Sequence, residues 1–251
     1  MYKLVKFLIK KILPLSIWIE VKAFVKSFLY FFNRFKKTKN NTVLIHIGKC
    51  GGSTLKKAVL GKYKEFPFDI VHIEKPIFKT KCKYIIIARG PINRAISSFN
   101  WRYKLVVEDE IDKRRFNGEY EVLTKYKTLN NIAEKLYFGD GDPNKLVHKE
   151  IKKIHHIKEN ISFYLSNFLK KCSPKQIQAV IMQENLNSDL KMVFDVNVID
   201  KIKVNKENKI NKQLSSKAIE HLRKYLSEDY AALELLYSYG KINKDIYAKL
   251  F

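Results

Sequence analysis

The residues best placed to do chemistry lie in two short stretches. Between Ile45 and Leu55 the chain reads Ile-His-Ile-Gly-Lys-Cys-Gly-Gly-Ser-Thr-Leu. Gly51 and Gly52 permit positive φ and close approach of the backbone to a ligand. A helix starting at Ser53-Thr54 leaves its first N–H groups without partners. With the helix dipole these groups make an anion cradle. Lys49 adds a full charge, and the Ser53 and Thr54 hydroxyls add donors. The plainer reading is a Gly-rich turn with Lys49 in solvent. The G-x-x-x-x-G-K-[ST] spacing of a Walker A loop is absent.

The second stretch begins at Ala88 and reads Ala-Arg-Gly-Pro-Ile-Asn-Arg-Ala-Ile-Ser. Arg89 is placed at a strand tip, and Pro91 breaks the strand and favours a helix start. Ser97, eight residues after Arg89, falls about two helical turns inside. One forked guanidinium and one hydroxyl can converge on a phosphate. Arg94 shares the face of Ser97 and could reinforce the site. A kinase-like ATPase places a Mg-binding acid at such a strand end, where this chain has Arg89.

The surrounding elements must bring these stretches together. Val43–Ile47, Asp69–Ile73 and Tyr84–Ala88 read as strands by their apolar, β-branched runs. Helices are expected over Ser53–Leu60, with Ser53 capping its start, and over Ile92–Tyr103. This alternation predicts an α/β fold with a parallel sheet flanked by helices. Ligands of such sheets bind at the carboxyl edge. The remainder reads as helix-rich, with long periods over Leu123–Tyr137, His148–Leu169 and Ser215–Tyr239. Ala179–Met182 is a further strand candidate.

Composition narrows the partner to something anionic. The chain has 251 residues and a net charge of +24. Nucleic acid, an anionic membrane and a phosphorylated cofactor all suit that charge. Residues 1–40 hold ten Lys/Arg and one acid. Within them Val21, Phe24, Val25, Phe28, Phe32 and Phe35 line one helical face. That pattern fits a helix lying in a membrane interface, or one docked on the rest of the protein. Charges interrupt its longest apolar run, so a clean membrane span is not expected. The domain reading is therefore a basic amphipathic segment, 1–40, followed by one domain, 41–251. Three widely spaced cysteines, Cys50, Cys82 and Cys172, form no zinc or disulfide framework.

In order and spacing the two stretches resemble a known family. Ile45–Leu55 resembles the 5′-phosphosulfate loop of Golgi-type sulfotransferases, H-I-P-K-[TC]-[GA]-G-[TS]-[ST]. Ile87–Phe99 resembles their 3′-phosphate motif, R-[DN]-P-x-x-R-x-x-S. The resemblance implies a P-loop-like fold that binds 3′-phosphoadenosine 5′-phosphosulfate (PAPS), with no metal. By position, Lys49, Gly51, Gly52, Ser53 and Thr54 would hold the 5′-phosphosulfate. Arg89 and Ser97 would hold the 3′-phosphate. Two positions depart from the pattern: Gly48 stands where Pro is usual, and Gly90 where an acidic or amide residue is. Lys49 would also neutralise the leaving group, and His72, in preference to Glu74, would be the general base. The implied acceptor is a hydroxyl of a glycan or glycolipid, nucleic acid is not an expected partner, and the expected location is cytoplasmic, at the membrane surface. Lys203–Lys206 would lie near the adenine, and Ser227–Tyr230 resembles the start of the family's C-terminal helix.

A basic membrane- or nucleic-acid-associated binding module explains the charge but leaves the paired motifs as coincidence, and a P-loop kinase lacks both Walker A and the strand-end acid. Asp140–Asn144 resembles half a calcium loop, but Lys145 and Ile151 stand where Gly and Glu are needed, so it reads as a turn. His148, His155 and His156 read as faces of a long helix. Trp101, Tyr103, Tyr126 and Tyr137 could line an acceptor groove or pack a core. At a helix start the Cys50 thiol could have a lowered pKa.

Overall fold

Four short apolar runs become the strands of one sheet: β1 (Thr42–His46), β2 (Asp69–His72), β3 (Lys83–Ala88) and β4 (Ile177–Met182). The computed structural model describes residues 40–197 and 213–250. The Phe-lined segment and the Lys203–Lys206 stretch lie outside the described residues. All strand pairs are parallel, in the order β2-β1-β3-β4. The two central strands are the greasiest, with Leu44, Ile45, Ile86 and Ile87 fully buried. Parallel strands covered on both faces read as continuous apolar runs for this reason.

Register decides what meets at the carboxyl edge. His46 is paired with His72 on one side and Ile87 on the other, and Ala88 with Met182. The loops that follow β1, β2, β3 and β4 therefore leave the sheet side by side. The chain passes from β1 outward to β2 and then returns to β3 on the opposite flank. The order reverses between β1 and β3, which opens a crevice at their carboxyl ends.

Helices fill the connections. They are α1 (Gly52–Lys62), α2 (Pro91–Tyr103), α3 (Glu119–Tyr126), α4 (Leu129–Ala133), α5 (Lys145–Ile151) and α6 (Ile161–Leu169). Beyond β4 come α7 (Leu186–Phe194), α8 (Ser216–Tyr225), α9 (Ser227–Ser238) and α10 (Lys244–Ala248). One core surrounds the sheet, with α6 and α9 packed on each other. A second, all-helical core joins residues of α2, α3, α4, α5 and α8, including Phe99, Leu123, Ile132, Ile151 and Leu222. Among the described residues no helix is long and apolar enough to cross a membrane.

Three expected helices are each broken in two. Leu123–Tyr137 stops at Lys127, whose φ is 59°, and restarts where the Thr128 side chain accepts from Asn131 N–H. His148–Leu169 is interrupted from residue 152 to 160, and Asn160 caps the new start by accepting from Phe163 N–H. Ser215–Tyr239 bends at Leu226. Helical periodicity runs through each break because both halves bury apolar residues at helical spacing. At the first two breaks the new start is set by a short polar side chain, Thr128 or Asn160, that bonds a backbone N–H.

The predicted cap is also displaced. α1 begins at Gly52, its N-cap is Gly51 at φ 88°, and no side chain caps it. The glycine turns the chain into the helix one residue early, so Ser53 is exposed rather than bonded back to the backbone. The cysteines Cys50, Cys82 and Cys172 are free and buried.

Candidate functional site

At the carboxyl edge of the sheet lies a cavity of about 510 Å³. It is lined by Lys49, Gly51, Gly52, Ser53, Thr54, His72, Arg89 and Ser97. The residues that the resemblance assigns to the two phosphate ends thus reach one space, together with His72, while Arg94 of the second motif does not. Glu74 is exposed and does not line the cavity.

The loop after β1 owes its form to a sequence of left-handed turns. Lys49 has φ 70° and Gly51 φ 88°. A left-handed non-glycine residue costs roughly 1–2 kcal/mol. Successive backbone N–H groups in such turns form an anion-binding concavity. The Lys49 ammonium lies 4.4 Å from the centroid of the Trp101 ring on α2.

Gly52 leaves no room for a side chain. A Cβ there would sit 1.8 Å from Nε2 of His46. The His46 ring is itself buried and stacked on His72, with centroids 4.1 Å apart at 14°. Burial, reinforced by His72 and Lys56, pushes the His46 pKa down to about 3. His46 is therefore a neutral wedge beneath the loop, and its Nδ1 is buried without a partner.

His72 is held by a hydrogen bond of 2.9 Å between its Nδ1 and the His46 carbonyl oxygen. A carbonyl can only accept, so Nδ1 carries the proton and Nε2 keeps its lone pair. Burial lowers the His72 pKa, against the pull of that carbonyl, and Lys56 adds to the decrease. The ring is neutral at pH 7 and can accept a proton.

On the other side of the crevice, Arg89 donates weakly from Nη1 to the Lys49 carbonyl at 3.5 Å, and its Nε is buried without a partner. Burial lowers its pKa. Gly90 N–H donates to Glu184 Oε1 at 2.9 Å, and Glu184 Oε2 is buried without a partner. Gln183–Ser188, which follow β4, form the third wall. Leu186 and Gln183 stand 3.3 Å from the position of a Cβ on Gly51.

Arg94 does not reinforce the site. Its guanidinium is 2% exposed and bonds carbonyls: Nε to Gly48 at 3.0 Å, Nη2 to His156 at 2.8 Å, and Nη2 to Glu159. It ties the first loop to the segment between α5 and α6. One turn-pair along α2, Arg102 grips the same segment indirectly. It forks onto Glu119 at 2.9 and 2.7 Å, and Glu119 Oε1 accepts from His155 N–H at 2.8 Å. Both partners are buried, and removing one of such a pair costs about 3–5 kcal/mol.

That segment carries a residue the helical reading concealed. His156 lies in the break, at φ 68°, and its imidazole lines the cavity. It rests on Gly48, where a Cβ would come within 2.9 Å of its Nδ1. The departure at Gly48 thus makes room for His156. The remaining histidines are structural: His155 stacks on Phe116 at 4.3 Å, and His148 packs edge-on against Tyr137 and Tyr225. Among the described residues no group of three His, Cys, Asp or Glu side chains is arranged to hold a metal.

Of the aromatics considered for a groove, Trp101 reaches the cavity while Tyr126 and Tyr137 are buried in the helical core and Tyr103 packs beside it. Cys50 runs opposite to expectation. Although next to a helix start, it is fully buried, and burial raises its thiol to about 12. Asp140–Asn144 is a turn, with Asp142 N–H donating to Asp140 at 3.0 Å. Asp229, in the Ser227–Tyr230 stretch, is buried and accepts from Ile161 and Ser162 N–H at 3.2 and 2.7 Å, capping α6.

Compared with known proteins, the chain matches no family model, no curated protein and no solved structure.

Proposed function

We propose that this protein is a sulfotransferase that takes the sulfuryl group of PAPS and transfers it to a hydroxyl of a glycan or glycolipid, on a P-loop-like fold. The observation that carries the reading is the meeting of the two motifs. Lys49 and Arg89, forty residues apart, reach one cavity, where the first loop presents glycines and hydroxyls and Arg89 keeps a buried N–H without a partner. A ligand with anionic groups at both ends suits such a space. The acceptor oxygen forms a bond to sulfur as the bond from sulfur to the 5′-phosphate oxygen breaks, and the electron pair leaves with 3′,5′-ADP.

The chain's residues then have separable tasks. Lys49 and the N–H groups at the start of α1 neutralise charge on the departing phosphate. Arg89 and Ser97 bind the 3′-phosphate and set the reach of the ligand across the crevice. His72 takes the hydroxyl proton on Nε2, because Nδ1 is committed to the His46 carbonyl. Glu74, exposed and outside the cavity, has no comparable access. The basic segment 1–40 is the proposed peripheral contact with a membrane bearing the acceptor.

Isothermal titration with 3′,5′-ADP tests the assignment without knowledge of the acceptor. Micromolar binding without metal is expected. No binding of 3′,5′-ADP, or a clear preference for ATP with Mg²⁺, would overturn it.

A further inference from the structure

Resting on the PAPS reading, we infer that His156 is a ligand-binding residue of this site, donating its single N–H to the sulfuryl oxygens beside Lys49. Three independent features of the chain single it out.

The first is strain. His156 holds a left-handed φ of 68°, a conformation uncommon for any residue with a Cβ. Such outliers persist only where the surroundings over-determine them, and they cluster at functional sites.

The second is the investment that maintains it. Arg94 donates to the His156 carbonyl, Glu159 Oε2 accepts from the His156 N–H at 2.9 Å, and Glu119 holds the preceding N–H. All three hold backbone atoms and none engages the imidazole. The side chain is left to project over Gly48 into the cavity, with Nδ1 buried and unpartnered.

The third is chemical state. Burial, then His155 and the cations Lys49, Arg94 and Arg102, push the imidazole down to about 2. A neutral ring donates one hydrogen bond and adds no charge. It therefore complements Lys49, which supplies charge without direction. Preorganised donors of this kind act on tetrahedral oxyanions without reorganisation. His72 lies on the same side, its Cε1 3.8 Å from a Cβ on Gly48. Lys49, His72 and His156 thus line the same cavity, in which the sulfuryl group would lie.

Because 3′,5′-ADP lacks the sulfuryl group, comparison of the two ligands isolates this contact. Titrations would use the full chain and two variants. His156→Gly removes the ring and suits the positive φ, and His156→Asn tolerates that φ while keeping a neutral donor. The expected result is that His156→Gly weakens PAPS binding about tenfold, the loss of one hydrogen bond to a charged group, and leaves 3′,5′-ADP binding within about twofold. His156→Asn is expected to fall between. Equal losses for the two ligands would mark His156 as merely structural, and unchanged affinity for both would remove it from the site; either overturns the inference. Should His156→Gly not fold, the same comparison in His156→Asn decides. Wild-type protein that binds neither ligand sinks the sulfotransferase reading itself, an outcome visible before any variant is made.

Discussion

Replacing Gly52 by alanine tests the architecture of the first loop directly. The added methyl would lie 1.8, 2.2 and 2.5 Å from Nε2, Cδ2 and Cε1 of His46. Carbon contacts settle near 3.5–4.0 Å, so about 1.5–2 Å of relief is needed. His46 cannot supply it, because its ring is buried, stacked on His72 and carried on a central strand. The loop must move instead. Overpacking of this kind costs about 1–3 kcal/mol, which in a chain of this size lowers Tm by roughly 2–12 °C. On the proposed function, displacing the N–H groups at the start of α1 is expected to weaken 3′,5′-ADP binding at least about tenfold, the loss of one charge-assisted hydrogen bond. Two companions make the test specific. Gly61→Ala, in the same helix with nothing within 4 Å of its Cβ, is expected to stabilise by about 0.4–1 kcal/mol. His46→Ala opens the space, so the double variant should recover at least about 1 kcal/mol relative to the sum of the singles. Thermal unfolding followed by circular dichroism reads all four proteins. If Gly52→Ala unfolds no earlier than Gly61→Ala, or if the two changes simply add, the wedge argument is wrong.

Arg94→Met leaves the carbonyls of Gly48, His156 and Glu159 without their buried donor, and a loss of about 3 kcal/mol or more is expected in urea titrations; a loss under about 1 kcal/mol would mean the clamp is dispensable. Arg89→Gln should do the reverse for stability, since the guanidinium has a buried N–H without a partner. The expectation is an equal or higher Tm together with a ten- to hundredfold weaker 3′,5′-ADP affinity; a lower Tm with intact affinity contradicts the assignment. The buried neutral His46 also sets an acid dependence. Its folded pKa of about 3 lies below the ordinary 6.5, so the unfolded chain binds the extra proton. The associated stability is present above pH 6.5 and is lost as pH falls toward 3, at up to about 1.4 kcal/mol per pH unit. His46→Gln should flatten that part of the urea-midpoint profile; an unchanged slope assigns the acid sensitivity elsewhere.

Much of this molecule can be read along the chain. The runs at Val43–Ile47 and Tyr84–Ala88 form strands because they are largely apolar on both faces, and the glycines at 48, 51 and 52 mark a turn, with a positive φ at Gly51. The strand runs and the positive φ at Gly51 are local energetics, decided within a few residues. The placement of Lys49 and Arg89 at strand ends follows from the same signals, since parallel strands return their carboxyl ends to one edge. The helix breaks are a different matter. The break that frees His156 is held by Arg94, 62 residues before it, and by Glu119, 36 residues before the neighbouring His155. Asp229 caps α6 from 67 residues away. Periodicity over 148–169 carries no trace of those partners, so the stretch reads as one helix.

Protonation states were equally hidden. Position in sequence suggests a lowered thiol pKa at Cys50 and an anion-binding guanidinium at Arg94. Burial makes the first an inert thiol, and three backbone carbonyls consume the second. The sequence by itself determined which residues could meet an anion and on which edge of the sheet they gather. Only the tertiary structure decided which of them keep an unused hydrogen bond, because satisfaction of a buried polar group depends on partners that the chain brings from far away.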